Sequence, residues 1–183
     1  MLQPAVFLDR DGVIIENRTG YVRSWADVSF IPGALDGLRR LKNSSYRIII
    51  VTNQSAVGRG ILTLDEAMSI NERIVTYVER EGGRIDAVYM CPHAPRDHCK
   101  CRKPKPGLIL KATKDLDIKL SESVIIGDAF SDLEAGQAAR VASRALVLTG
   151  RGTDQLASLN SQHLESFSIY HSLLEAGDAI VGN

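Results

Sequence analysis

The chain has 183 residues, of which 44% are hydrophobic and 24% are charged, and its formal net charge is zero. That length suits one domain with a sizeable core, and the balanced charge argues against a nucleic-acid partner, which usually needs a basic face. The longest apolar run, 48–51, is far too short to cross a bilayer, and the first residues lack the basic and apolar regions of a secretory signal. We therefore expect a cytoplasmic protein that acts without a membrane.

Apolar, β-branched segments that favour strands alternate with patterns that favour helices. The predicted strands are 5–8, 46–51, 85–90, 123–126 and 144–148. The predicted helices cover 33–43, 63–80, 106–117 and a segment that follows Ser131. This alternation predicts an α/β fold, a doubly wound and mostly parallel sheet in one domain over 1–183, with no insertion large enough for a cap domain.

Local signals refine the ends of these elements. Thr63 with Glu66, and Ser131 with Glu134, have the spacing of capping boxes at two helix starts. The segment 150–162 is polar and loop-like, and the later part of the chain fits a short strand followed by a closing helix.

Two acidic residues separated by one position end the first predicted strand. Asp9 and Asp11 follow an apolar run, and Gly12 permits a sharp turn directly after them. Side chains two apart on an extended segment point the same way, and ligands of open α/β sheets bind at the carboxyl ends of the strands. Asp9 could therefore attack phosphorus, and Asp11 could protonate the leaving alkoxide and then activate water. A solvated acidic turn is the weaker interpretation, because a buried strand leads into the pair.

Three further motifs fit the same site. Thr52, which follows the second strand, could bind phosphate oxygens, although a simple strand-ending turn is the better explanation of that motif taken alone. Lys103 could neutralise a transferred phosphoryl group, although a solvated basic loop is also consistent. Asp128 ends the fourth strand, where a carboxylate beside the first-strand pair suits Mg²⁺. Asp132 would then steady Lys103.

A cluster of cysteines predicts a second metal. Cys91, His93, Cys99 and Cys101 form a C-x-H…C-x-C pattern, and it contains every cysteine of the chain. An odd, clustered cysteine count favours a metal over disulfides, and this ligand set is typical of tetrahedral structural zinc. His98 is a competing ligand, and three free thiols with a surface histidine are the simpler but weaker alternative. With four protein ligands, the zinc would brace its loop rather than catalyse.

In this order, the four phosphate and Mg²⁺ motifs resemble the haloacid dehalogenase superfamily of phosphohydrolases. The resemblance implies a sheet of order 3-2-1-4-5, with Asp9 as nucleophile and Asp11 as general acid and base. It also implies that Thr52 and Lys103 hold the phosphoryl group. Mg²⁺ would be bound by Asp9, the main-chain carbonyl of Asp11, and Asp128.

A narrower resemblance is to the group that contains D-glycero-D-manno-heptose 1,7-bisphosphate phosphatase and the histidinol-phosphate phosphatase domain. It is carried by the F-L-D-R-D-G and T-N-Q-S segments and by the run that joins the cysteine cluster to R-K-P. Within this group, Gly20-Tyr21 and the K-P-G run favour a resemblance to the heptose bisphosphate phosphatases, the heptose branch. That resemblance implies that the enzyme removes the 7-phosphate. Ala129 departs from that branch, which commonly has lysine there. The implied substrate-binding residues are Arg18, Thr19, Gly20, Tyr21, Asn53, Gln54, Ser55 and Arg102.

Alternatives remain within and outside this group. Histidinol phosphate is the competing substrate. A receiver-like signalling domain also places an aspartate and Mg²⁺ on such a sheet, but its phospho-aspartate must survive, and Asp11 is placed to hydrolyse it. A zinc-based interaction module would not need Asp9. The expected partner is a small phosphorylated metabolite, and a monomer is expected rather than an oligomer.

Overall fold

The computed structural model describes residues 2–158, 164 and 166–182, and a six-stranded sheet forms the centre of that part of the chain. The strands are β1 (Ala5–Leu8), β2 (Arg47–Asn53), β3 (Ala87–Cys91), β4 (Val124–Gly127), β5 (Ser143–Val147) and β6 (Ser168–Tyr170). Neighbouring strands pair in parallel in the order β3-β2-β1-β4-β5-β6. The predicted order of the first five strands is confirmed, and β6, the expected short late strand, extends the sheet.

Helices connect the strands and cover both faces of the sheet. They are α1 (Ala34–Lys42), α2 (Ser55–Gly58), α3 (Leu64–Arg80), α4 (Gly107–Leu116), α5 (Phe130–Ala138), α6 (Gly152–Ala157) and α7 (Leu173–Val181). Val6 and Leu8 of β1 join a core with α1, α3 and α7, whereas Ala5 and Phe7 join a core with α4 and α5. Burial on both faces explains the continuous apolar runs of these strands. None of the described helices is both long and apolar enough to cross a bilayer.

The start of α5 corrects a prediction. The helix begins at Phe130 and not after Ser131, because its N-cap is Ala129. Asp132 Oδ2 accepts a hydrogen bond from the Ala129 main-chain N–H at 3.1 Å, and this bond takes the place of the predicted Ser131–Glu134 capping box. The other predicted box is present at the start of α3, where both of its reciprocal hydrogen bonds form.

Helix α6 corrects a second prediction, since 150–162 was expected to be a loop; its residues 159–162 lie outside the described part. A six-residue helix has too few turns to show a periodic pattern. It packs closely on the sheet, since a Cβ at Gly152 would lie 1.8 Å from the Val147 carbonyl oxygen.

An aromatic cluster fixes the long segment between β1 and α1 against α3. Phe30 stacks on Tyr77 with ring centroids 4.7 Å apart, and Trp25 packs at an angle to Phe30 at 6.5 Å. The guanidinium of Arg73 lies over the Trp25 ring at 4.7 Å. Trp25 is therefore a packing residue, and the cluster ties this segment to α3.

Candidate active site

Three buried carboxylates meet at the carboxyl ends of the central strands. Oxygens of Asp9, Asp128 and Asp132 all lie within 4.8 Å of one another. β1 and β4 are paired neighbours, so the residues that follow both strands face one point. Gly12 allows the close approach, because its φ is +85° and a Cβ there would lie 2.0 Å from Asp128 Oδ2. The structure thus brings Asp9 and Asp128 together, as the strand order implied.

Lys103 is the buried cation of this cluster. Its Nζ lies 2.9 Å from Asp9 Oδ1 and 2.6 Å from Asp132 Oδ1, and it donates a hydrogen bond to the Val51 carbonyl at 2.7 Å. Burial works to lower the pKa of Lys103, but the attraction of Asp132 and Asp9 outweighs it and raises that pKa. Burial also raises the pKa of Asp9 to about 7, against the opposing effect of the Lys103 ammonium. Lys103 therefore remains charged beside the predicted nucleophile.

The charge and donor set of the cluster fit a divalent cation. Three buried carboxylates share one buried ammonium, which leaves an excess of negative charge. Asp132 is already used by other groups: Oδ1 by Lys103 and Oδ2 by the Ala129 N–H. Asp9 and Asp128 are the carboxylates that would hold a hard cation such as Mg²⁺, which prefers oxygen ligands, and the cation would replace the half-exposed Arg151 guanidinium at Asp128 Oδ1.

Asp11 turns toward Arg10, a residue that the sequence analysis overlooked. Arg10 Nε lies 3.1 Å from Asp11 Oδ2, and Arg10 Nη2 lies 3.0 Å from Asp11 Oδ1. The side chain of Arg10 is only 2% exposed, which is unusual for an arginine. The available signal was an arginine between two acidic residues at the end of a buried strand. The side chain of Asp11 lies outside the close carboxylate cluster, and the role of its main-chain carbonyl as a ligand of Mg²⁺ stays a prediction.

The last residues of β2, a strand that runs two residues further than predicted, support the site from the other side. Thr52 is fully buried, and its Oγ1 accepts a hydrogen bond from Gln54 Nε2 at 2.8 Å. Asn53 clamps the main chain of Lys103, since Nδ2 donates to the Lys103 carbonyl and Oδ1 accepts from the Lys103 N–H, both at 3.1 Å. The side chain of Asn53 is therefore used to place Lys103, and its predicted contact with substrate stays a prediction.

Asp128 has two partners that the sequence analysis missed. Asn17 Nδ2 donates to Asp128 Oδ2 at 2.8 Å, and the Arg151 main-chain N–H donates to the same oxygen at 2.9 Å. The Arg151 guanidinium reaches Oδ1 at 3.1 Å, yet the Arg151 side chain is 56% exposed. Both residues lie in loops, far from Asp128 in sequence, and only the position of Arg151 just after the fifth strand hinted at the contact.

A polar cavity of about 450 Å³ opens above these groups. Among the predicted substrate-binding residues, those that line it are Arg18, Tyr21, Asn53, Gln54, Ser55 and Arg102. Thr19 and Gly20 line an adjoining cavity of about 420 Å³ together with Arg18 and Tyr21. Arg102 Nη1 is buried and has no hydrogen-bond partner among the described residues. Such a nitrogen is suited to an anionic oxygen of a ligand.

The cysteine cluster consists of the last residue of β3, Cys91, and three residues of the loop that follows. The three Sγ atoms of Cys91, Cys99 and Cys101 are 3.3 to 3.6 Å apart, and His93 Nδ1 is 3.3 Å from Cys101 Sγ. These separations exceed a disulfide bond of about 2.05 Å and approach the roughly 3.8 Å expected between sulfurs around one tetrahedral zinc. The cluster is compatible with a zinc site, and His98 is not part of it.

Comparisons with known proteins agree with this geometry. A HAD-hydrolase-like family model matches residues 100–176. A D-glycero-β-D-manno-heptose-1,7-bisphosphate 7-phosphatase of Vibrio cholerae is 37% identical over 183 residues, which is 95% of this chain and 98% of that protein. The corresponding protein of Helicobacter pylori strain J99 is 42% identical over 144 residues, 78% of this chain and 82% of that protein.

A solved structure gives the same picture. The D,D-heptose 1,7-bisphosphate phosphatase of B. bronchiseptica, complexed with magnesium and phosphate, superposes with a TM-score of 0.89 at 29% identity and covers 98% of both chains. The parallel sheet and its acidic strand ends thus define a phosphatase of the HAD-like hydrolase class. Within that class, the chain belongs to the family of the D-glycero-β-D-manno-heptose-1,7-bisphosphate 7-phosphatases. An enzyme is therefore shown, against the receiver-like and zinc-module alternatives.

Proposed function

We propose that this enzyme removes the 7-phosphate of D-glycero-D-manno-heptose 1,7-bisphosphate through an aspartyl-phosphate at Asp9. The observation that carries the proposal is the placement of Asp9, buried at the end of β1 with the Lys103 ammonium 2.9 Å from its Oδ1. The Asp9 carboxylate attacks phosphorus as the ester bond to the sugar oxygen breaks, and Asp11 protonates that oxygen. Water then releases the phosphate, giving a proton to Asp11.

Asp9, Asp128 and the main-chain carbonyl of Asp11 are the proposed ligands of Mg²⁺. When bound, this ion supplies positive charge that offsets the charge of the transferred phosphoryl group. Lys103 and the hydroxyl of Thr52 hold the phosphoryl oxygens, and Asp132 keeps Lys103 in place through its 2.6 Å contact.

Arginines at the mouth of the cavity favour a bisphosphate over histidinol phosphate. Arg18, Arg102 and Arg151 all line the cavity, and Arg102 has a buried nitrogen without a partner among the described residues. A second phosphate would be attracted by these guanidinium groups, whereas the ammonium of histidinol would be repelled. We assign the second phosphate to Arg102.

Structural zinc is proposed at Cys91, His93, Cys99 and Cys101. The loop that these residues close leads directly into Arg102 and Lys103, so its folding sets the position of both cations. We further propose that the enzyme is a monomer in the cytoplasm.

The function is tested with a phosphate-release panel containing the heptose bisphosphate, histidinol phosphate and sugar monophosphates, with and without Mg²⁺. We expect the highest kcat/KM on the heptose bisphosphate, no turnover without a divalent cation, and none for Asp9→Asn. Zinc content near one ion per chain is expected by atomic emission. A much higher kcat/KM on histidinol phosphate would overturn the substrate assignment, and full activity of Asp9→Asn would overturn the mechanism.

A further inference from the structure

We propose, on the basis of the function proposed above, that Arg10 and Asn71 are positioning residues that fix the Asp11 carboxylate and leave its Oδ1 to carry the catalytic proton. Neither residue needs to touch the substrate. Both act through Asp11, which is the general acid of the first half-reaction and the general base of the second.

Arg10 holds Asp11 with a planar fork. Its Nε and Nη2 atoms donate to Oδ2 and Oδ1 of Asp11 at 3.1 and 3.0 Å, so both carboxylate oxygens are bound by one rigid group. Such bidentate pairs fix the plane of the carboxylate as well as its position. Since the Arg10 side chain is only 2% exposed, little water is available to compete for these bonds.

Arg10 is itself held by residues outside the first strand. Its Nη1 donates to Asn71 Oδ1 at 2.8 Å, and its Nη2 donates to Gln54 Oε1 at 2.9 Å. Asn71 is a buried polar residue on the face of α3 that otherwise packs into the core, between Ile70 and Ile74. Its Nδ2 also lies 3.5 Å from the sulfur of Met90. A buried amide on an apolar helix face is costly unless it is paired, and Arg10 is the partner.

The hydrogen bonds distinguish the two oxygens of Asp11. Oδ2 accepts from Arg10 Nε and also from Gln54 Nε2 at 2.8 Å, which fills both of its lone-pair directions. Oδ1 accepts from Arg10 Nη2 alone among the described residues. Because Asp11 lines the cavity and its side chain is 22% exposed, Oδ1 is the oxygen with an open direction toward a ligand.

The proton transfers then take place at one atom. In the first half-reaction the proton on Oδ1 passes to the sugar oxygen as its bond to phosphorus breaks and the bond from Asp9 to phosphorus forms. In the second, Oδ1 takes a proton from water as the water oxygen bonds to phosphorus and the bond from Asp9 breaks. The fork keeps Oδ1 in the same place for both steps.

The dependence of the rate on the leaving group separates positioning from a general loss of structure. A series of aryl phosphates is used in which the pKa of the released phenol rises, because a good leaving group needs little help from an acid. The ratio kcat/KM reports on steps up to the release of the phenol.

Three variants are compared on this series. Asn71→Leu removes the oxygen that accepts from Arg10 at similar side-chain volume, and Asn71→Asp keeps an accepting oxygen. Ile74→Val perturbs the same helix without changing the hydrogen bonds of Arg10.

We expect Asn71→Leu to lose about threefold in kcat/KM on p-nitrophenyl phosphate and about thirtyfold on phenyl phosphate, since general acid catalysis contributes about 10² or more. With p-nitrophenyl phosphate it should also show a burst of p-nitrophenol, because the second step is slowed more than the first. Asn71→Asp should recover the wild-type dependence. Adding Asn71→Leu to Asp11→Asn should cost nothing further.

Two results would overturn the positioning role: a loss for Asn71→Leu that is equal across the series, or the same trend in Ile74→Val. Should Asn71→Leu not fold, Arg10→Lys keeps the charge without the fork and must show the same trend. Wild-type turnover of the aryl series, with its loss in Asp9→Asn, tests the phosphatase mechanism separately, so a failure of the mechanism is distinguishable from a failure of the positioning role.

Discussion

Replacement of Lys103 by methionine is the sharpest test of the buried charge cluster. The ammonium makes contacts of 2.9 Å with Asp9, 2.6 Å with Asp132 and 2.7 Å with the Val51 carbonyl, and Lys103 is only 3% exposed. Methionine fills a similar length of side chain but offers no charge and no donor. The variant would therefore leave two carboxylates close together in the interior without their shared cation.

The expected cost is large because the cluster is buried. Removal of one partner from a buried ion pair costs about 3–5 kcal/mol, and an unpaired buried carbonyl at Val51 about 1–3 kcal/mol. The two amounts do not simply add, because Asp9, with a pKa of about 7, can take up a proton and relieve part of the strain. We expect Lys103→Met to lower the free energy of unfolding by about 3–5 kcal/mol, a large share of the usual 5–15 kcal/mol.

The loss is measured by urea denaturation without added Mg²⁺, with Lys111→Met as the matched control. Lys111 is an exposed lysine paired with Asp115 on the same helix at 2.8 Å, and exposed pairs of this kind contribute little. Added Mg²⁺ should raise the free energy of unfolding of Lys103→Met by more than it raises that of Lys111→Met. If Lys103→Met unfolds at the same urea concentration as Lys111→Met, the charge cluster does not stabilise the fold as described.

Three other changes test neighbouring parts of the site. Gly12→Ala places a Cβ 2.0 Å from Asp128 Oδ2 at a backbone φ of +85°. Because this displaces the Asp128 carboxylate, the affinity for Mg²⁺ measured by calorimetry should fall by about tenfold to a hundredfold. Unchanged affinity would exclude Asp128 as a ligand. Asn53→Ala removes both hydrogen bonds between the Asn53 side chain and the Lys103 main chain. It should lower kcat by about tenfold or more with a smaller effect on KM, whereas a change in KM alone would favour a contact between Asn53 and the substrate. Cys99→Ser should lower zinc content and the unfolding temperature together, and a strong chelator should reproduce the shift in the wild type; normal stability without zinc would remove its structural role.

The site residues that could be predicted from the sequence are those whose place follows from strand order or from short spacing. Asp9 and Asp128 each follow a buried parallel strand, and neighbouring parallel strands bring their carboxyl ends together whatever the intervening residues are. The four residues of the cysteine cluster lie within eleven positions of one another, so their spacing already limits the distance between them. For the two aspartates, a local pattern and one rule of topology were sufficient, and for the cysteine cluster the local pattern alone was sufficient.

The site residues that no sequence pattern indicates take their roles from contacts between distant parts of the chain. Arg10 was seen only as the middle of an acidic motif, although it is tied to Asn71, 61 positions away, and the periodicity of α3 gives no reason for an asparagine on its buried face. Asn17 contacts Asp128, although the two residues are 111 positions apart in the sequence. The start of α5 was misplaced for a related reason, because Asp132 serves both as a capping residue and as the partner of Lys103.

The pairing of charges in the acidic cluster favours two of its carboxylates as the groups that would hold a divalent cation. Asp11 has its own cation in Arg10, whereas Asp9 and Asp132 share Lys103, so Asp9 is only partly neutralised. Both oxygens of Asp132 are taken, and Lys103 is buried and cannot move away without a large cost. Asp128 Oδ2 accepts from Asn17 and from the Arg151 main chain, whereas its Oδ1 contacts the Arg151 guanidinium. Because the Arg151 side chain is 56% exposed, water can solvate that guanidinium if it leaves Oδ1. We therefore expect Asp9 and Asp128 to be the carboxylates that would hold a divalent cation, which would add its positive charge to that of Lys103 when a phosphoryl group is bound.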